Sequence, residues 1–245
     1  MDNPMDEAVS RRRRYEARLR GTGPASVAHR FLIGPAGSVL INTPVYLLPG
    51  RINLQPKHRV LDLQGGRGAL ARILAARVPF HTPPVMIDTS PAALALAYAD
   101  ADPDRPIDLL AARPQRLPFA DECFDLVIAA HVFRRLDDTA LYLCLMEIVR
   151  VLRPGGVLVA WDYAPRSSRL LNRLHERLLA GDPTKPHLRG FGALAHWLSE
   201  AGFDEIQRTV LPPFLFPPIP HTALLAQKWA GRPLPEQPPG LVQIT

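Results

Sequence analysis

Val60-Leu61-Asp62-Leu63-Gln64-Gly65-Gly66-Arg67-Gly68-Ala69-Leu70-Ala71 is the stretch that decides the fold. A short apolar run ends in an acid, glycines follow, and helix formers come next. That order predicts a buried strand, a tight turn and a helix start. With no Cβ atoms at positions 65, 66 and 68, a ligand can approach the backbone closely. The helix beyond the turn offers unpaired N–H groups and a partial positive charge. The stretch therefore suits a nucleotide-like ligand.

Working outward, strand and helix alternate. The first strand is expected over residues 59–63. The next helix carries Leu70, Ile73, Leu74 and Arg77 at helical spacing and stops before Pro79. Val85-Met86-Ile87 is a second strand ending at Asp88. Ser90 then supplies an N-cap and Pro91 a first helical position, for an alanine-rich helix to about Ala99. Residues 107–111 form a third strand, and Phe124 to Ala130 is the clearest buried strand in the chain. A helix from Asp138 to Leu152 precedes Pro154-Gly155-Gly156, which is expected to end it. Val157 to Trp161 is a fifth strand, ending at Asp162. An arginine-rich helix is expected over 167–179, and Gly181 to Gly190 reads as a loop. A helix from Phe191 to Ala201 closes at Gly202. Glu205 to Leu211 and Thr222 to Trp229 are the last two strands. This alternation predicts an α/β fold with a mostly parallel sheet and helices on both faces. Ligands in such sheets sit at the carboxyl ends of the strands.

Residues 56–230 form the core on this reading. Residues 1–55 are an N-terminal extension packing on it through Val39-Leu40-Ile41 and Val45 to Leu48. Residues 231–245 are a loose, proline-rich tail. Whether the extension also covers a ligand is left open.

Hydrophobic residues make up 47% of the 245 and charged ones 21%, the balance of a soluble globular protein. No apolar run reaches spanning length, the N-terminus does not read as a secretory signal, and Cys123 and Cys144 form no metal spacing. A reduced, cytoplasmic location is expected, with no metal. The net charge is +6, and Arg11 to Arg14, Arg18 and Arg20 lie close together. No nucleic-acid motif accompanies them, so they read as a solvated, partly helical arm and no nucleic-acid partner is expected. Leu211 to Ile219 is apolar and reads as an acceptor-site wall, a weak peripheral membrane contact, or a loop folded on the extension. Oligomeric state is not legible.

Two cofactor readings fit the turn. Gly66-x-Gly68-x-x-Ala71 matches the dinucleotide fingerprint, and Asp88 lies 20 residues past Gly68, which suits an NAD(P)-dependent oxidoreductase. Against this, Asp62 sits where it could face an ammonium, one glycine turn is present, and the chain finishes on a hairpin-like pair of strands.

The chain resembles the class I S-adenosylmethionine-dependent methyltransferases, in the broad group of the ubiquinone and menaquinone enzymes. The resemblance lies in Val60-Leu61-Asp62-x-x-Gly65-Gly66-x-Gly68, Ile87-Asp88-x-Ser90, Leu117-Pro118-Phe119-x-Asp121-x-x-Phe124-Asp125-Leu126-Val127, Glu147-Ile148-x-Arg150-Val151-Leu152-Arg153-Pro154-Gly155-Gly156 and Glu200-Ala201-Gly202-Phe203. It implies a Rossmann-like three-layer sandwich with seven strands, the last antiparallel beside the fifth. It implies methyl transfer from S-adenosylmethionine to a small acceptor, apolar ones included, at oxygen or carbon. It places the methionine part at Asp62, Gln64, Gly65, Gly66 and Gly68, the ribose at Asp88, and the adenine against Thr89, Arg113, Pro114 and Gln115. Ala130 and His131 close the site. The family usually has glycine where Gln64 stands and often Asp where Arg113 stands. Arginine cannot accept the bond that an adenine amino group offers. A fold-retaining, non-catalytic binding protein is therefore the alternative.

A sulfonium methyl is already activated, so positioning can supply much of the rate. A base is needed only if the acceptor must lose a proton. His131 is the candidate base, with a structural histidine as the other reading. Tyr163 and His187 could touch an acceptor or be ordinary loop residues. Asp62 and Asp88 read as ligand-binding acids, with turn or helix-capping acids as the other reading, and Asp121 and Asp125 read as shaping the turn and strand edge.

Overall fold

A computed structural model describes residues 13–34, 36–37, 48, 52–165, 168, 170, 172, 187–209 and 221–229. Two helices come first: α1 (residues 13–20) and α2 (Pro24–Leu32). The core then alternates β1 (Val60–Leu63), α3 (Ala69–Ala75), β2 (Val85–Asp88), α4 (Pro91–Ala99), β3 (Asp108–Ala111) and β4 (Phe124–Ala130). A 3-10 turn (Phe133–Arg135), α5 (Asp138–Val151), β5 (Leu152–Tyr163), α6 (Phe191–Ala201), β6 (Phe203–Arg208) and β7 (His221–Lys228) complete it.

The sheet has seven strands in the order β3-β2-β1-β4-β5-β7-β6. Strands β1 to β5 pair in parallel. Strand β7 runs antiparallel between β5 and β6. The order reverses between β1 and β4, so the carboxyl ends of β1, β2 and β4 surround the switch point where ligands bind. The expected three-layer α/β architecture is the one observed.

Both faces of the sheet are covered. One carries Phe124, Val127, Leu158 and Leu224 against Leu141, Leu145 and Ile148 of α5 and Leu194 and Leu198 of α6. The other carries Leu126, Ile128, Val159 and Trp161 against Leu70 and Leu74 of α3, with Leu48, Ile52 and Leu54 in the same cluster. Burying a leucine in such a layer contributes about 2 kcal/mol. Local rules set the ends. Ser90 Oγ accepts from Ala93 N at 3.2 Å with Pro91 at the first helical position. Asp137 caps α5 through Ala140 N at 2.8 Å. Gly202 ends α6 in the left-handed region at φ 101°.

One boundary differs from expectation. Pro154-Gly155-Gly156 does not end α5; the helix stops at Val151, and β5 already begins at Leu152. The physical reason is pairing. Cys123 N donates to Val151 O, Phe124 lies opposite Leu152, and an irregularity between Phe124 and Leu126 absorbs the extra residues. Gly155 takes φ 78° within that run.

The arm is more than solvated charge. Arg13, Arg14 and Arg20 are exposed, yet Leu19 is buried. Arg11 and Arg12, Val39 to Ile41, Val45 to Leu47, most of the arginine-rich stretch 167–179, the loop residues 181–186, the apolar stretch 211–219 and the tail 231–245 lie outside the described residues.

Candidate functional site

The glycine turn leaves β1 with Gln64 in the left-handed region at φ 56°, followed by Gly66 at 61° and Gly68 at 73°. A non-glycine residue there carries strain, and such strain concentrates at functional sites. A Cβ on Gly65 would meet Asp62 Oδ2 and the Met86 side chain at 2.5 Å, so only glycine fits beside that carboxylate.

Asp62 is fully buried under the turn. Its Oδ2 accepts from Ala71 N at 3.3 Å, while Oδ1 is buried with no partner. Burial pushes its pKa up to about 7, against the pull of the Ala71 amide and with a push from the Asp88 charge. Asp88 holds the next strand end. Its Oδ2 accepts from Gly66 N at 3.0 Å and its Oδ1 from Ser90 N at 2.8 Å. Burial raises its pKa, opposed by those amides and by the Arg135 charge. Both acids thus act as turn and cap acids here, and both lie where the sequence places a ligand.

Gln64 reaches across to the second strand end, where its Oε1 accepts from Thr89 Oγ1 at 3.3 Å. Its Nε2 is a buried donor with no partner. Arg113 is exposed and is not packed into the hollow; Pro114 is buried and Gln115 half-buried in the turn after β3. Ala112 N donates to Asp88 O at 3.2 Å, which holds this turn beside the end of β2.

Beyond β4, Ala130 packs on the second core face. His131 has φ 58° and donates its N–H to Trp161 O at 2.8 Å. Its Nδ1 lies 3.7 Å from Asp162 Oδ1 at the end of β5. The imidazole stacks on Tyr163, with centroids 4.6 Å apart and 28° between planes, and meets His221 of β7 edge-on at 5.8 Å. Burial lowers the His131 pKa, opposed by Asp162. Burial alone would raise Asp162, but the nearby His131 ring and the Arg134 charge outweigh it and hold that carboxyl low. The pair is therefore neutral histidine and ionised aspartate near neutral pH, the arrangement in which a histidine accepts a proton. His131 does not cap the segment that follows. His187 donates its N–H to Arg134 O at 2.8 Å. Asp125 accepts from Arg59 N and Arg153, and Asp121 pairs with Arg150, so both shape turn and strand edge.

Three residues near the turn were not legible as site residues. Tyr15 of α1 brings its hydroxyl to 3.6 Å from where a Cβ on Gly66 would lie. Arg135 holds its cation 5.7 Å from the Tyr15 ring centre. Arg67, inside the turn, pairs with Asp100 at 2.6 Å and donates to Arg30 O at 2.9 Å. All four contacts join residues far apart in the chain, and no local pattern announces them.

Among the described residues, no group of His, Cys, Asp and Glu could hold a metal ion, and no helix is long and apolar enough to cross a membrane.

Comparisons with known proteins agree with this geometry. Residues 61–160 match the family described as a methyltransferase domain. The chain is 39% identical over 108 residues to demethylmenaquinone methyltransferase of Thermus thermophilus, covering 44% of this chain and 48% of that one. It is 37% identical over 101 residues to the ubiquinone/menaquinone biosynthesis C-methyltransferase UbiE of Xylella fastidiosa, covering 40% of this chain and 39% of that one. The matched stretch thus spans less than half of those relatives' length. Among solved structures, the CurJ carbon methyltransferase superposes with a TM-score of 0.67 at 18% identity, covering 87% of this chain and 61% of that one. The [4+2]-cyclase SpnF gives 0.62 at 20%, covering 78% and 81%. At these identities the structural likeness speaks to the fold alone. The sheet order and the motif segments in register agree with the domain match: residues 61–160 carry a methyltransferase domain.

Proposed function

We propose that the protein transfers a methyl group from S-adenosylmethionine to a small acceptor. The observation that carries the reading is the pair of buried, unpartnered polar atoms on one turn: Asp62 Oδ1, an acceptor, and Gln64 Nε2, a donor. Leaving such groups unmade costs about 1–3 kcal/mol each, so a ligand that satisfies both is favoured. The amino-acid end of the cofactor offers an ammonium for the first and a carboxylate for the second. In this reading Asp88 and Thr89 take the ribose and flank the adenine, and Arg113, Pro114 and Gln115 line its edge. Ala130 and His131 close the site toward the acceptor. The cofactor supplies an activated methyl; the chain supplies orientation, a bare-backbone cradle and a means of removing a proton.

His131 would accept that proton, with Asp162 orienting the ring. Both relatives are named for menaquinone-type chemistry, one of them as a C-methyltransferase. That supports an acceptor with a carbon site, with oxygen as the alternative. An NAD(P)-dependent oxidoreductase is disfavoured by the sheet's finish: after β5 comes an antiparallel β7 in place of a second nucleotide-binding half. The extension 1–55, core 56–230 and tail 231–245 remain our division of the chain, and a cytoplasmic location remains our expectation.

Calorimetric titration with S-adenosylhomocysteine, S-adenosylmethionine, NAD and NADP tests the reading. The first two are expected to bind, and Asp88→Ala is expected to weaken S-adenosylhomocysteine by ~10-fold or more through loss of a charged hydrogen-bond acceptor. Binding of a nicotinamide cofactor alone overturns the reading.

A further inference from the structure

The helices ahead of the core bear on the same site. Leu19 of α1 is buried against Ala92 and Ala93 at the start of α4, with Tyr15, Ile33 and Leu96 packed around it. Helix α4 begins directly after Asp88, so this contact seats α1 over the strand end assigned to the ribose. The Tyr15 ring meets His29 of α2 edge-on at 5.9 Å. Arg30 of α2 donates to Leu19 O at 2.9 Å and also to Gly21 O, which fixes the two helices to each other. Arg67 then ties the pair to the core. Its guanidinium makes two bonds to Asp100, at 2.8 and 2.7 Å, and one to Arg30 O at 2.9 Å.

The hydroxyl that this packing delivers beside Gly66 makes no hydrogen bond among the described residues. The Tyr15 side chain is half-buried, so its hydroxyl is a donor still open to a ligand placed on the turn. The Arg135 cation over the same ring makes the spot favourable for an anion.

We propose that α1 and α2 roof the cofactor site and that Tyr15 is a cofactor-binding residue, donating its hydroxyl to the carboxylate of the amino-acid end, with Arg135 as counter-charge and Arg67 as the latch. This rests on the methyltransferase reading and adds a wall that the motif segments do not contain. Burial and the Asp88 charge both raise the phenol's pKa, so it stays protonated and can donate. Ligand exchange then requires the roof to lift, which breaks the Arg67 bonds to Arg30 and Asp100.

The test compares two ligands that share the adenosine part. S-Adenosylhomocysteine carries the carboxylate; 5′-methylthioadenosine has neither carboxylate nor ammonium. Tyr15→Phe keeps the ring packing and removes only the hydroxyl. It is expected to weaken S-adenosylhomocysteine by ~10-fold and to leave 5′-methylthioadenosine unchanged. Asp100→Ala, at the far side of the latch, is expected to speed S-adenosylhomocysteine release in stopped-flow measurements. It is also expected to speed proteolysis between Gly21 and Gly23 in the empty protein. Equal weakening of both ligands by Tyr15→Phe, or no effect on either, overturns the assignment of Tyr15. Unchanged release and proteolysis in Asp100→Ala overturn the latch. If the wild-type chain binds no S-adenosylhomocysteine at all, the cofactor reading itself falls and this proposal falls with it.

Discussion

Asp62→Asn separates what the buried acid does to the empty protein from what it does for the ligand. The carboxyl has no partner for Oδ1, and burial raises its pKa from 3.8 to about 7. The sign follows from linkage. The folded state holds the proton more tightly than the unfolded one, so this contribution is fully present below pH 3.8 and is lost as pH rises toward 7. A difference of that size corresponds to about 4 kcal/mol between the two limits. Asparagine keeps the shape and an acceptor for Ala71 N, and it does not titrate. The empty variant is therefore expected to match the wild type near pH 4 and to exceed it at pH 8. For a chain of this size a stability gain of that order raises Tm by roughly 10 °C. Asp88 also has a raised pKa, so the variant keeps some pH slope of its own. The quantity to read is the difference between the two unfolding curves, from denaturant titrations at pH 5 and pH 8. Binding runs the opposite way. An ammonium against Oδ1 favours the ionised carboxylate, so wild-type affinity for S-adenosylhomocysteine is expected to rise as pH passes from 6 to 8. The variant is expected to bind ~10-fold or more weakly, with a flat profile. Parallel pH slopes of stability in the two proteins would refute the buried-acid reasoning. Undiminished affinity in the variant would refute the ammonium contact.

Other outcomes follow from the same geometry. Gln64→Gly relieves a left-handed residue but removes the bond to Thr89, so its stability is expected to stay within about 1 kcal/mol of wild type in thermal unfolding. Its affinity for S-adenosylhomocysteine is expected to fall, because the Nε2 donor is gone; tighter binding would show that the side chain obstructs the site. His131→Ala is expected to lower kcat for a hydroquinone acceptor by ~10²-fold with cofactor affinity unchanged. Asp162→Asn removes the charge that supports protonated His131, so the acid limb of the kcat profile is expected to move to lower pH. A limb that stays in place would show that His131 is not the group titrating.

The strands and helices that the sequence placed best are those whose two flanking signals agree. Phe124 to Ala130 is continuous apolar sequence behind a polar turn, and it occupies the interior of the sheet with register on both sides. Phe191 to Ala201 has its apolar stripe and its terminal glycine, and both bounds match the structure. Pro154-Gly155-Gly156 misleads because breaker residues speak only of local preference. Here the edge of β4 and the side chains of Gln227 and Lys228 recruit the same backbone into a strand. At the site, Asp62, Asp88 and the glycines were legible from their order alone, since a turn between a strand and a helix is a local event. The partnership of His131 with Asp162 was not. Each residue ends its own strand region, and only the parallel register Ala130↔Trp161 brings the two together. Tyr15 was invisible for the same reason on a longer scale, since its role depends on where Leu19 finds Ala92 and Ala93.

The place of β7 sets a rule for biosynthesis. It is the last of the described strands in chain order, yet it lies inside the sheet, paired on one side with β5 from Val157 to Tyr163 and on the other with β6. While a nascent chain stops short of residue 221, the flank of β5 is an open, apolar edge and β6 lacks the strand that joins it to the sheet. Such an edge invites pairing with a neighbouring chain. The molecule therefore cannot close progressively from its front end as it leaves the ribosome. A ribosome stalled before residue 221 is made would present a sticky half-sheet for chaperones to shield.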